Sequence, residues 1–270
     1  MNEVTRKPYK HNPRLQEIFL PEGTILFEEG DKASAMYIIQ AGVIDIAVNN
    51  GAHKLASLGS GSSFGEQAIL GTKVRTATAI AKERSTCLEI PADWLGDQIN
   101  ASPHFVNIVF TGLTLQLLQR NFLAAHQAGS KHEETYDLDS SNAAKSAWQS
   151  ISRNTLLDTV YVSTGEDTQK HISNGNALII RSGSVEVTRG DRKCSLGKGG
   201  VLGLAEAIAG VPCADSVEVT SAVNAWQISG DSAFTFISQL NKGLYGVVRG
   251  LASRVIGQNM PLGRLSNMKK

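Results

Sequence analysis

Two halves of this 270-residue chain carry the same succession of residues, which limits the fold to two domains of similar design in tandem. Asn176 to Val187 repeats the texture of Ala35 to Ile46: an apolar run, a glycine (Gly42, Gly183), then an alternating apolar segment. Val201 to Val217 repeats Ser63 to Ala79, and Ser229-Gly230-Asp231 repeats Pro91-Ala92-Asp93. The displacement is steady at about 140 residues, which is a whole domain rather than a solenoid repeat.

Within the first copy the texture is one of short strands punctuated by turns. Leu20-Pro21-Glu22-Gly23 and Glu29-Gly30-Asp31 read as turns, Thr24 to Phe27 and Met36 to Gln40 as strands. Val43 to Val48 alternates with a period near two. Asn49-Asn50-Gly51 is a hairpin signal leading to a strand from Lys54 to Leu58. Closely spaced strands of this kind build a sandwich or barrel. Pro91 then marks a change to helix over Ala92 to Asn100, and Pro103 opens a longer helix reaching about Gln127. On that helix Val106, Phe110, Leu113 and Leu117 form one apolar row, and Ile108, Leu115 and Phe122 another. Two apolar rows need cover on two sides. Burial inside one chain and a homodimer seam through helix 103–127 satisfy that need equally. The second copy ends on a matching stripe, Leu244, Val247, Val248, Leu251 and Val255.

The fold class that follows is mainly β with helices (α+β). The expected divisions are a loosely docked tail over 1–14, a first domain over 15–128, an acidic linker over 129–154 with some helix around Ala143 to Ile151, a second domain over 155–258, and a tail over 259–270. Lys plus Arg number 26 against 25 Asp plus Glu, so the overall charge gives no reason to invoke DNA or an anionic membrane. Cys87, Cys194 and Cys213 are scattered and odd in number, which suits a reducing, cytoplasmic setting. No apolar run is long enough to span a bilayer, and the start has no secretory h-region.

The chemistry concentrates in Phe64 to Ala79. Gly65 opens a short helical run, Glu66 follows it, and Arg75 precedes a strand. Backbone N–H groups at a helix start suit an anion, an arginine fork suits a phosphate, and a carboxylate can only accept, as from a sugar hydroxyl. These residues suit a pocket for a small phosphorylated ligand.

Phe64-Gly65-Glu66 and Arg75-Thr76-Ala77-Thr78, with Gly30-Asp31, Tyr37 to Ile39 and Gly42 upstream, resemble the cyclic nucleotide-binding domains of the catabolite activator protein and of protein kinase A regulatory subunits. The resemblance implies two β-rolls, each with a C-terminal capping helix. It implies that Arg75 pairs with the cyclic phosphate, that backbone N–H groups near Gln67, Ala68 and Ala77 complete the anion site, and that Glu66 accepts from the ribose 2′-hydroxyl. Ile46, Leu55 and Phe64 should wall the sugar and base, with Arg120 and Asn121 reaching the purine from the last helix. Thr76 bears on the choice between cAMP, favoured by family usage, and cGMP. In the second copy Gly203 survives, but Leu204 stands for Glu66, Cys213 for Arg75 and Asp215 for Ala77. An acid with no arginine to offset it is wrong for a phosphate, so that copy should be a packing or partner-docking module, or take a different ligand.

The implied function is a non-enzymatic receptor with no catalytic cofactor, regulating a separate effector protein. Alternatives are a scaffold that needs no nucleotide and a transcription regulator, for which no helix-turn-helix stretch is found. The six histidines lie far apart with no His-x-His, which disfavours a metal-dependent barrel enzyme.

Overall fold

A computed structural model describes residues 4–48, 51–66, 74–125, 135–140, 142–166, 168–172, 175–190, 192–257 and 262–266. The chain divides into two compact units. The first comprises Met1–Ser102 with Asn241–Gly250, the second Pro103–Leu240 with Leu251–Lys270.

The first unit is a β-roll of two antiparallel sheets. Its strands are β1 (Thr5–Tyr9), β2 (Asn12–Leu20), β3 (Ile25–Phe27), β4 (Ala35–Ala41), β5 (Ile44–Val48), β6 (His53–Leu58), β7 (Ser63–Phe64), β8 (Thr78–Ala81) and β9 (Ser85–Pro91). One sheet runs β1-β2-β9-β4-β7 and the other β3-β8-β5-β6. Between them Ile18, Leu20, Tyr37, Ile39, Ile44 and Phe64 form the core. Period-two alternation sends these side chains inward, and on β4 the opposite face is covered as well, with Met36 fully buried. The break between β4 and β5 falls at Gly42, whose φ is 88°. A Cβ there would lie 2.3 Å from Ser85 Oγ, so no other residue fits the bend. Helix α1 (Ala92–Asn100) follows directly on Pro91.

Residues 5–14 differ from the loose tail expected over 1–14. Thr5–Tyr9 pairs antiparallel with Asn12–Leu20, and Arg14 reaches Asp97 at 3.2 Å. Pro8 and the basic side chains suggested a tail, yet β1 lies at the sheet edge, where a missing N–H is tolerated.

The second unit opens with α2 (His104–Ala125), β10 (Thr135–Tyr136), α3 (Asn142–Ile151), β11 (Asp158–Val162) and α4 (Gln169–Ile172). It continues with β12 (Asn176–Arg189), β13 (Arg192–Leu196), β14 (Val201–Leu202), α5 (Leu204–Ala209), β15 (Ser216–Ser229), α6 (Gly230–Ser238) and α7 (Lys242–Ile256). The sheet order is β10-β13-β12-β15-β11, with β14 on β12. The single strand β12 spans what β4 and β5 divide between them in the first unit. Its register against β15 shifts around Gly183, the glycine that repeats Gly42.

The stretch read as a linker is built into this unit. Tyr136 pairs beside Leu196, and Trp148 of α3 stacks on Trp226 with ring centroids 5.3 Å apart. Likewise Arg264, in the region expected as a free tail, bonds the carbonyls of Ala207 and Ile208 at 2.7 Å. Both segments carry polar sequences because they satisfy backbone groups at the surface of a packed unit, which composition alone does not separate from a solvated connection.

Helix α2 departs most from expectation. It was expected to close the first domain, but it belongs to the second unit, packing on α3, α5, α6 and β14. Its apolar rows are covered within the chain, down to 0% exposure at Ile108, Leu113 and Leu115, with Phe122 half-buried at the far end. The pattern therefore needs no second copy of the chain to cover it. The first unit instead includes the opening stretch of α7, which presents glycines. A Cβ on Gly246 would lie 3.5 Å from Ile38, and one on Gly250 would lie 1.9 Å from Ser63 Oγ. Alanine in a helix interior ordinarily gains about 1 kcal/mol over glycine, whereas overpacking costs about 1–3 kcal/mol. Gly250→Ala is therefore expected to destabilise the first unit, with part of the loss recovered in the Ser63→Gly/Gly250→Ala pair. Denaturant melts of the three variants would check this.

Candidate functional site

Backbone pairing fixes the segment that carries Arg75. Arg75 N donates to Asp31 O at 2.7 Å, and Gly30 N donates to Arg75 O at 2.9 Å. Glu29 N donates to Thr78 Oγ1 at 3.0 Å, so the Glu29–Asp31 turn holds the strand entry on both sides. The guanidinium is thereby carried inward to 4% exposure. Nη2 donates to Ala35 O at 2.7 Å and Nη1 to Gly65 O at 3.2 Å. Its carbon lies 3.9 Å from the Phe27 ring centroid, a cation–π distance. Phe27, Tyr37 and Phe64 form one aromatic cluster with centroids 5.2–6.0 Å apart.

Glu66 is fully buried beside this group; burial lowers the Arg75 pKa, and the carboxylates of Asp31, Glu66 and Glu89 oppose that lowering. An arginine starts so high that it stays cationic. Tyr37 donates to Glu89 Oε1 at 3.1 Å, and burial pushes its phenol above the ordinary range. Arg75 Nε is buried and has no hydrogen-bond partner among the described residues. Two of the five guanidinium donors are thus on carbonyls, and Nε is available to an incoming acceptor. Gly65, at φ 81°, leaves room for the fork: a Cβ there would lie 2.6 Å from Arg75 Nη1.

The structure brings Phe64, Gly65, Glu66, Arg75 and Ala77 together, with Thr76 exposed at the same turn. Ile46 is buried in the roll, while Leu55 is 45% exposed on β6. Gln67 and Ala68 lie outside the described residues. Arg120 and Asn121, expected over the first cassette, lie on α2 in the second unit. There Arg120 Nη2 lies 3.2 Å from Glu206 Oε1 and 3.7 Å from Asp215 Oδ2. Two buried carboxylates draw the cation to them, which is the physical reason for the difference.

Residues 17–102 match the family model described as the cyclic nucleotide-binding domain. This stretch of the chain is a cyclic nucleotide-binding domain. It contains the whole cassette from Phe64 to Ala79. The chain is 37% identical over 73 residues to the cAMP-dependent protein kinase regulatory subunit of Candida albicans, covering 27% of this chain and 16% of that protein. It is 32% identical over 104 residues to Glutaminase 2 of Bradyrhizobium diazoefficiens, covering 38% of this chain and 16% of that protein. The solved structure of cAMP-bound PfPKA-R aligns over 90% of this chain and 80% of that one, at 15% identity and a TM-score of 0.35. The chain thus spans about a sixth of the length of those two curated relatives.

The second copy of the cassette has the same backbone opening and a different chemistry. Gly203, at φ 71°, precedes α5 as Gly65 precedes Glu66. Leu204 is buried against α2, where a Cβ on Gly112 would come within 2.5 Å of it. Cys213 replaces the arginine, and burial together with Glu206 pushes its thiol up to about 12. Gln116 joins the two ends of the opening: its Oε1 accepts from Ala205 N at 2.9 Å and its Nε2 donates to Glu206 Oε2 at 2.9 Å. Gln119 Oε1 accepts from Val201 N at 3.0 Å. The backbone N–H groups of Val201 and Ala205 are thereby satisfied from α2. The sequence concealed this role, since Gln116 and Gln119 read as surface polar residues of a helix. Their spacing from Arg120 (i, i+3, i+4) on an otherwise apolar helix is the signal that marks one polar stripe. Among the described residues no group of three or more His, Cys, Asp or Glu is placed to hold a metal ion, and no helix is long and apolar enough to cross a membrane.

Proposed function

We propose that the chain is a non-enzymatic cyclic nucleotide receptor that binds its ligand at the first cassette and regulates a separate protein. The observation that carries this reading is the buried Arg75 fork beside Gly65 and Glu66, a cation and a carboxylate 9 positions apart in sequence held at one opening. The cyclic phosphate would take the fork, with Nε supplying a donor that no described residue uses. Glu66 would accept from the 2′-hydroxyl, which selects a ribonucleotide. Phe64 and Ile46 would line the sugar and base.

We read the opening stretch of α7 as the element that answers ligand binding. Ser63, against which Gly250 packs, immediately precedes Phe64 and Gly65. A ligand that reshapes the cassette would bind two states with different affinity whenever this packing differs between them. Gln116, Gln119 and Arg120 hold α2 in the second unit, so α2 is not assigned that part.

Calorimetry with cAMP, cGMP and 5′-AMP tests the receptor reading. One cyclic nucleotide should bind at one site per chain while 5′-AMP, lacking the ring, binds far more weakly. If neither cyclic nucleotide binds, the receptor reading is wrong. The preferred ligand is cAMP on family usage. The exposed Thr76 hydroxyl can bond a guanine amino group, so Thr76→Ala is expected to lower cGMP affinity about tenfold, roughly one hydrogen bond, while changing cAMP affinity little. Competition binding with both nucleotides reads this out.

A second reading, a scaffold that needs no nucleotide, draws on the two carbonyls and the aromatic ring that already engage Arg75. It requires Arg75 variants to lose stability with no ligand effect to lose.

A further inference from the structure

Phe27 ends β3 and directly precedes the turn at 28–31, to which the Arg75 backbone is bonded through both its N–H and its carbonyl. The register of β3 against β8 shifts between Ile25, opposite Ile80, and Phe27, opposite Ala79. An extra residue of this kind re-aims the side chains around it. Ile25 is 49% exposed. The Phe27 ring, two residues on, is half-buried and lies against the Arg75 guanidinium, its centroid 3.9 Å from Cζ. We propose, on the reading of the first cassette as a cyclic nucleotide site, that Phe27 is a positioning residue whose ring holds the Arg75 fork in the orientation that takes the phosphate.

The contacts on the guanidinium act in different directions. Nη1 and Nη2 donate to Gly65 O and Ala35 O, and the donors of a guanidinium lie in the plane of its fork. Those two bonds leave the group able to tilt about the line that joins them. A ring set over Cζ opposes that tilt, because the cation–π attraction weakens as the fork leaves the ring face. It thereby fixes the direction of Nε, the buried donor with no partner among the described residues. The ring is itself held in place, with Tyr37 stacked on it at 5.8 Å and Phe64 at 6.0 Å. An aromatic face attracts a cation without cancelling its charge, as a paired carboxylate would. Among the described residues, carbonyls and rings are the groups at hydrogen-bond or stacking distance from Arg75. The second copy lacks the ring and the arginine together. Cys213 stands for Arg75, and Thr168 stands for Phe27, displaced by the same 141 residues as Asn176 from Ala35. Thr168 Oγ1 donates to Val217 O at 2.7 Å, and Val217 repeats Ala79, the residue opposite Phe27 on β8. The ring is absent where there is no fork to hold.

The test is calorimetry with cAMP and cGMP on the full chain, beside a thermal melt of each variant. For the nucleotide that wild type binds more tightly, Phe27→Leu should weaken binding about tenfold, the scale of one desolvated cation–π contact. Phe27→Tyr keeps the aromatic face and should bind within about twofold of wild type. In an Arg75→Lys background, which has no planar fork to orient, Phe27→Leu should change affinity by less than about threefold. Equal loss in both backgrounds means that the ring touches the ligand or serves only the core, and it overturns the proposal. So does Phe27→Leu binding as tightly as wild type, or Phe27→Tyr losing as much as Phe27→Leu. Phe27→Met, apolar and without a ring, supplies the same comparison if Phe27→Leu melts below the assay temperature. If wild type binds neither nucleotide, the receptor reading falls and the positioning role with it. If wild type binds and the Phe27 variants do not behave as stated, the positioning role alone falls.

Discussion

Arg75→Ala is expected to lower affinity for the cyclic nucleotide at least 100-fold, about 2.8 kcal/mol at 1.4 kcal/mol per decade. The guanidinium is the one arginine at the first cassette, and its position is set by the backbone pairing of Gly30, Asp31 and Arg75. Removing it takes away charge and fork geometry together. Arg75→Lys keeps the charge and loses the fork, so it should recover only part of the affinity. The same pair separates receptor from scaffold. If Arg75 is merely a staple for Ala35 O and Gly65 O, both variants change the melting temperature and neither changes ligand binding. Calorimetry beside a thermal melt gives both readouts on one sample.

Arg120→Ala should destabilise the second unit by about 3 kcal/mol near neutral pH, the cost of leaving a buried carboxylate without its cation. Among the described residues Glu206 then keeps the Gln116 amide as its side-chain partner, while Asp215 keeps Arg189 at 3.1 Å. The effect should depend on pH. Burial raises the Glu206 carboxyl above its ordinary range and does the same for Asp215, whose shift Arg189 opposes. A carboxyl raised in the folded state favours folding while it is protonated, so its stabilisation is complete below the unfolded value. That stabilisation is lost as pH rises through the folded value. Without Arg120 these carboxyls rise further, so the penalty is largest at neutral pH and shrinks toward pH 4. Melts of wild type and Arg120→Ala at pH 7.5 and pH 4.5 should show the gap narrowing in acid. A gap that widens in acid contradicts this account of the ion pair.

The first roll was legible because its turns are written in glycine and proline and its strands alternate cleanly. Gly42, Gly65 and Arg75 stand where the repeat and the cassette spacing put them. The altered second cassette was legible too, since Leu204, Cys213 and Asp215 are changes of chemical type at matched positions. What remained hidden was which roll each long helix covers. Periodicity gives the apolar faces of α2 and α7 without naming the surface they meet. The discriminating residues are small or polar: Gly246 and Gly250, which a hydrophobic stripe ignores, and Gln116, Gln119 and Arg120, which look solvent-facing until their partners are known. Residues 5–14 were misread for the related reason that an edge strand and a basic tail share a composition.

Helices α2 and α7 are apportioned across the sequence boundary of the rolls, and this has a practical consequence for dissecting the molecule. Cutting after Ser102 yields a continuous first roll that lacks Asn241–Gly250, and so exposes Ile38 and Ser63 where glycines had packed. Extending the cut to Ala125 adds a helix whose buried apolar rows have lost α3, α5 and α6. Neither truncation reproduces a native unit. A recombinant version of the first unit calls for residues 1–102 with the 241–250 helix grafted on through a designed linker, an arrangement that gene fragments cut at the repeat boundary do not supply.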